Sequence, residues 1–414
     1  MRKECVLSVL LVVPSAAPAA ELKDYVSLSL RNSPALKAAG AGLDAAKAGL
    51  DAQRRGLLPD FSGTVEEGYS VYDAAAGADL RDGVTGRAAL EAAVDLKGIV
   101  AGTPRLGRLE ADKAAAELEL ARRGITRDTA ASYYRLYSLV QKRKDYAGAD
   151  GYFASHLADI KALGERGLDV KLDLLRADVQ RRALAADAAD IDAAVASELA
   201  GLNGAAGAAF KLSDLPFSDI PSPAPPSAPP PAARATPSAL ALEGRLGSLE
   251  ADAAAEALRQ SAYAAVPGLT VGLGRALSPI DPATERWRAY AAVTVDIFGF
   301  GRRAAERRRL AAEAENRRQL ALENTRRLDL EAGRLEAGLT AAAAACGEAA
   351  RTLAAAEEGL DAAGEYYRQG KIKETDLLAV FSEYFSARER SRDALGAWLE
   401  KKAERDYLLG GEGL

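Results

Sequence analysis

The stretch Thr294-Val295-Asp296-Ile297-Phe298-Gly299 has an earlier counterpart in Ala93-Val94-Asp95-Leu96-Lys97-Gly98, and this pairing decides the fold. Each closes a strand-like run and opens onto a long segment poor in proline. Two more anchors fall at the same offset of a little over ~200 residues. Leu57-Leu58-Pro59, at the end of an alanine-rich helical stretch, corresponds to Ala265-Val266-Pro267; Gly167 with Asp173-Leu174-Leu175 corresponds to Gly370 with Asp376-Leu377-Leu378. The interval from glycine to aspartate is six in both copies. The chain is therefore one plan repeated: helix, two strands, very long helix, tight turn, helix.

The boundaries follow from that plan. Residues 1–19 read as a secretory signal, with Arg2 and Lys3, an apolar run over 6–13, and Ala17-Pro18-Ala19 as the cleavage site. The first repeat occupies 20–209, with a leading helix over 22–55, strands at 59–72 and 84–96, and a helical hairpin over 98–203. Gly77, Gly83 and Gly86 are expected in its strand loop. The second repeat occupies 238–409, with strands at 267–277 and 287–297 around Ser278-Pro279-Ile280-Asp281-Pro282, a strong turn signal, and a hairpin over 299–408. Between the repeats, 210–237 is a linker whose proline-, serine- and alanine-rich part, 216–237, is expected to be extended. A short tail, 410–414, follows.

Composition narrows the class. With 49% hydrophobic residues carried largely by alanine and only 6% aromatics, the 414-residue chain suits thin helix-on-helix seams better than one thick core. Apart from Pro104, near a helix start where proline is tolerated, no proline falls in 98–167 or 299–370. One helix of each length would be roughly 105 Å long and would need lateral partners along it. Leu310, Leu320, Leu328, Leu335, Leu339, Leu353 and Leu360, set among charges, supply such a seam. Gly167 and Gly370 end the long helices, and Asp173 and Asp376 lie in the first turn of the returning ones. The fold class is mainly α with a small β part.

A net charge of −5 argues against nucleic acid, and without a run of about 18 apolar residues any membrane crossing must be made by strands. Such a sheet must close, because hydrocarbon cannot satisfy an open edge. Four strands cannot close alone, and bacterial barrels start at about eight. Three copies would supply twelve strands above twelve helices. Cys5 leaves with the signal, so no internal disulfide forms, and no cysteine begins the mature chain to carry a lipid. The single histidine, His156, has no second ligand to share a metal and reads as incidental. Neither a phosphate loop, a nucleophile elbow nor a paired-carboxylate pocket is visible, so no enzyme activity, cofactor or metal is expected.

The order of elements, the doubling, Val295-Asp296-Ile297-Phe298-Gly299-Phe300-Gly301 before an arginine-rich helix, and the Tyr-x-x-Gly-x-x-x-x-x-Asp-Leu-Leu turn together resemble the TolC-like outer membrane efflux proteins. The resemblance implies a homotrimer with a twelve-stranded outer-membrane barrel continuous with a periplasmic α-helical barrel. It also implies a periplasmic adaptor, an inner-membrane pump and outer-membrane lipid as partners. By position it makes Asp376 the constriction carboxylate, Asp173 its first-repeat counterpart and Tyr367 a gate aromatic. Gly167, Leu168, Gly370 and Lys371 fall in the turns expected to dock the adaptor. Two positions depart from the family: its next aspartate falls on Ala379, and its basic residue two after the glycine falls on Ile372.

The competing account is a secreted or cytosolic coiled-coil scaffold, which explains the helices and leaves the strands, signal and repeat unused. Arg302, Arg303, Arg307, Arg308 and Arg309 could meet lipid head groups, but the interleaved Glu306, Glu313 and Glu315 favour a salt-bridged helix surface. Trp287, Tyr290, Phe298 and Phe300, with Phe61, Tyr69 and Tyr72, are placed for interfacial girdles.

Overall fold

The computed structural model describes residues 21–72, 81–94, 96–165, 170–223, 238–266, 268–277, 287–294 and 301–410. The signal segment, Gly77, Asp95, Gly167, Leu168, the linker from 224 to 237, Pro267, the turn 278–282, the stretch 295–300 and the tail beyond 410 lie outside them.

Proline breaks the leading helix in two: α1 is Leu22–Asn32 and α2 is Pro34–Arg55. Pro34 has no N–H to continue the ladder and disfavours helical geometry in the residue before it. Ser33 accordingly leaves the helix (φ −59°, ψ 118°), and its Oγ accepts the Leu36 N–H at 3.2 Å, capping the second helix. The strands β1 (Asp60–Tyr72) and β2 (Arg81–Val94) follow, then a short α3 (Leu96–Ala101). Gly102, at φ +68°, ends α3, and the long α4 (Pro104–Glu165) starts on Pro104. The expected continuous helix from 98 is thus interrupted at its base. After α5 (Lys171–Ala206) and α6 (Ala239–Ser261), strands β3 (Gly268–Leu277) and β4 (Trp287–Thr294) lead to α7 (Arg302–Arg368) and α8 (Glu374–Arg405).

The chain divides into two compact units, and each draws on both repeats: one from 37–119 and 241–328, the other from the remainder. The division differs from the repeats because α4 and α7 each contribute to both units.

The first unit carries a four-stranded antiparallel sheet in the order β1-β2-β3-β4, so each hairpin stays intact and the two meet at β2 and β3. Gly83 and Gly86, expected in the hairpin loop, belong to the β1–β2 ladder opposite Ser70 and Glu67. The register sorts the residues by face. Phe61, Val65, Leu90, Ala92, Val271, Leu273, Trp287, Ala289, Ala291 and Val293 share one face. Ser62, Thr64, Glu91, Thr270, Gly272, Tyr290 and Thr294 share the other. The apolar face is exposed, with Val65 at 86%, Phe61 at 68% and Trp287 at 67%, and Ser62, Thr64 and Thr294 are exposed on the opposite face as well. On the opposite face the Tyr290 hydroxyl donates to Glu91 across Gly272, where any Cβ would run into the tyrosine ring. Tyr290 is therefore a cross-strand donor on the polar face and no part of an interfacial girdle.

In the second unit, α1, α4, α5, α7 and α8 pack around Tyr25, Tyr133, Leu136, Leu202, Leu339 and Leu399. The first part of the linker belongs to this core. Leu215 is buried, Phe217 lies 5.3 and 5.5 Å from the rings of Tyr133 and Tyr137, and it holds a left-handed backbone (φ 50°) to do so. Asp219 accepts from the Leu22 N–H at 2.9 Å and from the Tyr133 hydroxyl at 3.0 Å, tying the start of α1 to α4. Up to Ile220, then, the linker is a packed strap, because its apolar residues find a core that proline content alone does not reveal.

Candidate functional site

The turn between α7 and α8 is built by ordinary helix-end chemistry. Gly370, at φ +70°, lets its own N–H reach the Tyr367 carbonyl at 2.8 Å while the Lys371 N–H reaches that of Tyr366, also at 2.8 Å. This pair of bonds closes a helix with a glycine in the left-handed region. Lys373 then turns extended (φ −84°, ψ 159°), and its N–H donates to Asp376 Oδ2 at 3.3 Å, capping α8. Asp376 is exposed. In the other hairpin, Asp173 sits in the first turn of α5, partly exposed and 3.9 Å from Arg176.

The start of α5 and the turn between α7 and α8 line an open groove of about 720 Å³, with Asp173, Arg176, Tyr367, Arg368, Lys373 and Glu374 among its residues. Asp173 and Tyr367 are thus brought together, while Asp376 stands apart on the α8 surface. Beneath the groove, α4, α5, α7 and α8 pack through Phe153, Ile160, Ala177, Leu360, Leu377 and Phe381. Phe381 stacks on Tyr152 (4.9 Å between centroids, 18°) and meets Phe153 edge-on (4.7 Å, 73°).

A polar group lies inside this aromatic core. His156 Nε2 is 2.9 Å from both carboxylate oxygens of Glu374, with the histidine 5% and the glutamate 2% exposed. The Tyr152 ring stacks over the imidazole at 6.0 Å, and the Tyr367 ring meets it at 5.2 Å. Burial, followed by the charges of Glu374 and Asp173 and a hydrogen bond to Glu374, pushes the Tyr367 phenol up, so it stays a donor. Tyr152 is pushed up to about 12, by burial first and Glu374 second. His156 is therefore not incidental. The sequence did hold a signal: Tyr152, Phe153, His156 and Ile160 fall on one helical face, and a polar residue on an apolar stripe needs a buried partner.

A second buried carboxylate fixes the helices farther along. Asp145, 5% exposed, accepts from Arg388 Nε and Arg392 Nε, each at 2.8 Å, locking α4 to α8. At the start of α7, Arg309 pairs with Glu306 at 2.7 Å and Glu313 at 3.2 Å, which makes this end of the arginine run a salt-bridged helix surface. Among the described residues, no group of three acidic, histidine or cysteine side chains is arranged to hold a metal, and no helix is long and apolar enough to cross a membrane.

Residues 25–208 match the outer membrane efflux protein family. No curated protein matches the chain in sequence. Among solved structures, the outer membrane protein VceC from Vibrio cholerae is similar at a TM-score of 0.80 and 16% identity, over 94% of this chain and 96% of that one. The Campylobacter jejuni CmeC outer membrane channel gives 0.74 and 16%, over 94% and 85%. The open state of the Neisseria gonorrhoeae MtrE outer membrane channel gives 0.78 and 14%, over 94% and 89%. At such identities the likeness is one of fold, and it runs through nearly the whole chain. The family's sequence pattern thus covers residues 25–208, and the fold of these outer membrane channels is shared over nearly the whole chain.

Proposed function

We propose that three copies of this chain form the outer-membrane exit duct of a tripartite efflux or type I secretion system. The duct conducts passively what an inner-membrane pump and a periplasmic adaptor deliver. One observation carries this reading: the sheet gathers large, exposed apolar side chains on one face and polar side chains on the other. In water such a face is a liability, whereas against hydrocarbon it is the stable arrangement. The outer strands β1 and β4 each have one neighbour within the sheet, so closure calls for further copies. Three copies give a twelve-stranded barrel whose polar face lines the lumen. The coiled-coil scaffold gives the apolar face no use.

Within the duct, Asp376 lines the aperture, and Asp173 and Tyr367 act from the groove at the helix ends. Gly167, Leu168, Gly370 and Lys371 form the turns that meet the adaptor. The exposed position of Asp376 and the glycine-closed turn at Gly370 support these roles. The test is conductance of purified trimers in planar bilayers. Asp376→Ala is expected to raise conductance and to weaken both cation preference and block by divalent ions; if all three are unchanged, Asp376 does not line the aperture.

A further inference from the structure

We propose that arginines on the helix ends next to the sheet form a basic collar that binds the phosphate groups of anionic phospholipids and so fixes the depth at which the sheet sits in its membrane. The proposal rests on the duct reading for the membrane itself. In chain order α2 and α6 lead into the sheet and α4 and α7 follow it, so four helix ends adjoin the same end of the four strands. The segments 51–60, 101–110, 256–265 and 302–311 hold ten arginines and five carboxylates, a local excess of positive charge in a chain whose net charge is −5. Contacts between the helices set them at one level. Arg105 lies 3.5 Å from Glu256, Arg259 donates to the Ala101 carbonyl at 2.7 Å, and the Gln53 side chain lies against Gly107. Glu250 holds Lys113 at 2.7 Å and Arg317 at 3.1 Å, and from that rung Arg108 is five residues nearer the sheet along α4 and Arg308 nine along α7.

Part of the collar is already paired. Arg54 meets Asp51, Arg105 and Arg259 share Glu256, and Arg309 meets Glu306 and Glu313. Arg55, Arg108, Arg307 and Arg308 are exposed and have no carboxylate partner among the described residues. They come from three helices, so their spacing is set by the fold and not by one sequence run. Toward the sheet the surface changes character at once: Phe61 and Val293, the second residue of β1 and the last but one of β4, are apolar and 68% and 63% exposed. A surface that passes from exposed apolar side chains to unpaired guanidiniums has the order of a lipid leaflet, hydrocarbon and then phosphate. The guanidinium fork suits phosphate oxygens, and each arginine near an anionic lipid surface adds to the attraction. The long apolar stem of the side chain lets the charge reach the head groups while the helix end stays in place.

Native mass spectrometry of the full-length protein, purified in a neutral detergent and titrated with phosphatidylglycerol or phosphatidylcholine of equal chain length, tests this. The wild type is expected to bind phosphatidylglycerol about tenfold more tightly, and a variant carrying Arg55→Gln, Arg108→Gln, Arg307→Gln and Arg308→Gln should bind the two lipids within about twofold of each other. Arg318→Gln with Arg326→Gln removes exposed arginines on α7 about 15 Å or more farther from the sheet, and should keep the preference. Raising ammonium acetate from about 0.05 to 0.5 M should weaken the preference in the wild type, a readout that needs no variant. Equal binding of both lipids by the wild type overturns the collar, and so does a preference that survives in the fourfold variant. Loss of the trimer in that variant alone would assign these arginines to contacts between copies and overturns it too. A wild-type trimer without the preference removes the collar and leaves the duct standing, whereas a soluble monomer recovered without detergent removes both.

Discussion

The sheet and the helical tip place charge and apolar surface in opposite ways. In the sheet, Phe61, Val65, Leu273 and Trp287 are exposed on one face, and Glu91 and Tyr290 are half-buried on the other. At the tip, aromatic rings are inside, and a histidine and a glutamate are enclosed among them. The contrast shows that burial in this molecule is set by the surroundings each part is built for. A face meant for hydrocarbon needs no protein cover, whereas a joint that must hold one arrangement in water gains directionality from a buried polar pair. Polar pairs of this kind define geometry more than they add stability, because desolvation offsets much of their attraction.

The largest expected effect separates the two faces of the sheet. Leu273→Arg puts a charge on the apolar face and should lower the stability of the folded, membrane-inserted protein by about 2–4 kcal/mol, whereas Ala292→Arg, on the other face, should cost far less. Urea titration of both variants in lipid vesicles measures the difference, and equal costs would erase the distinction between faces. Next comes the joint between α4 and α8. Asp145→Ala removes the shared acceptor of Arg388 and Arg392 and should cost about 2–3 kcal/mol, moderated because both guanidiniums can reach water and Arg388 keeps the Tyr384 hydroxyl. Glu306→Ala, in an exposed pair, should leave the thermal midpoint unchanged.

Gly272→Ala tests the polar face of the sheet. The added methyl meets the Tyr290 ring and displaces its hydroxyl from Glu91, at a cost of about 1–2 kcal/mol that Tyr290→Phe should largely share. The smallest effect is kinetic. Burial raises the Cys346 thiol above its ordinary value, so less thiolate is present at neutral pH. Maleimide should label the native protein slowly and the urea-unfolded protein fast, and rapid labelling of the native form would show that this part of the core is open.

What could be read from the sequence was local. Gly370 and Asp376 announced a helix end and a helix start, and hydrogen bonds within a few residues realise them. The period-two pattern in β3 and β4 was weak because alanine and glycine occupy both faces; only the register, which aligns Leu90, Leu273 and Ala289, makes the apolar face continuous. Distant pairings were not legible. Glu374 looked like one more acid in a helical first turn, and its partner lies 218 residues away. Asp219, in a segment that composition marked as extended, caps a helix 197 residues earlier. Pro34 marks the break between α1 and α2, although the alanine-rich run after it carries the helical pattern straight through.

The central claim, that copies of this chain assemble into an outer-membrane duct, is tested most directly by separating inner and outer membranes from cells expressing the full chain. The outer-membrane fraction is then run on a denaturing gel with and without boiling. The account predicts a trimer-sized band in that fraction that collapses to monomer on heating. Recovery in the soluble fraction, or as a monomer before heating, would contradict it.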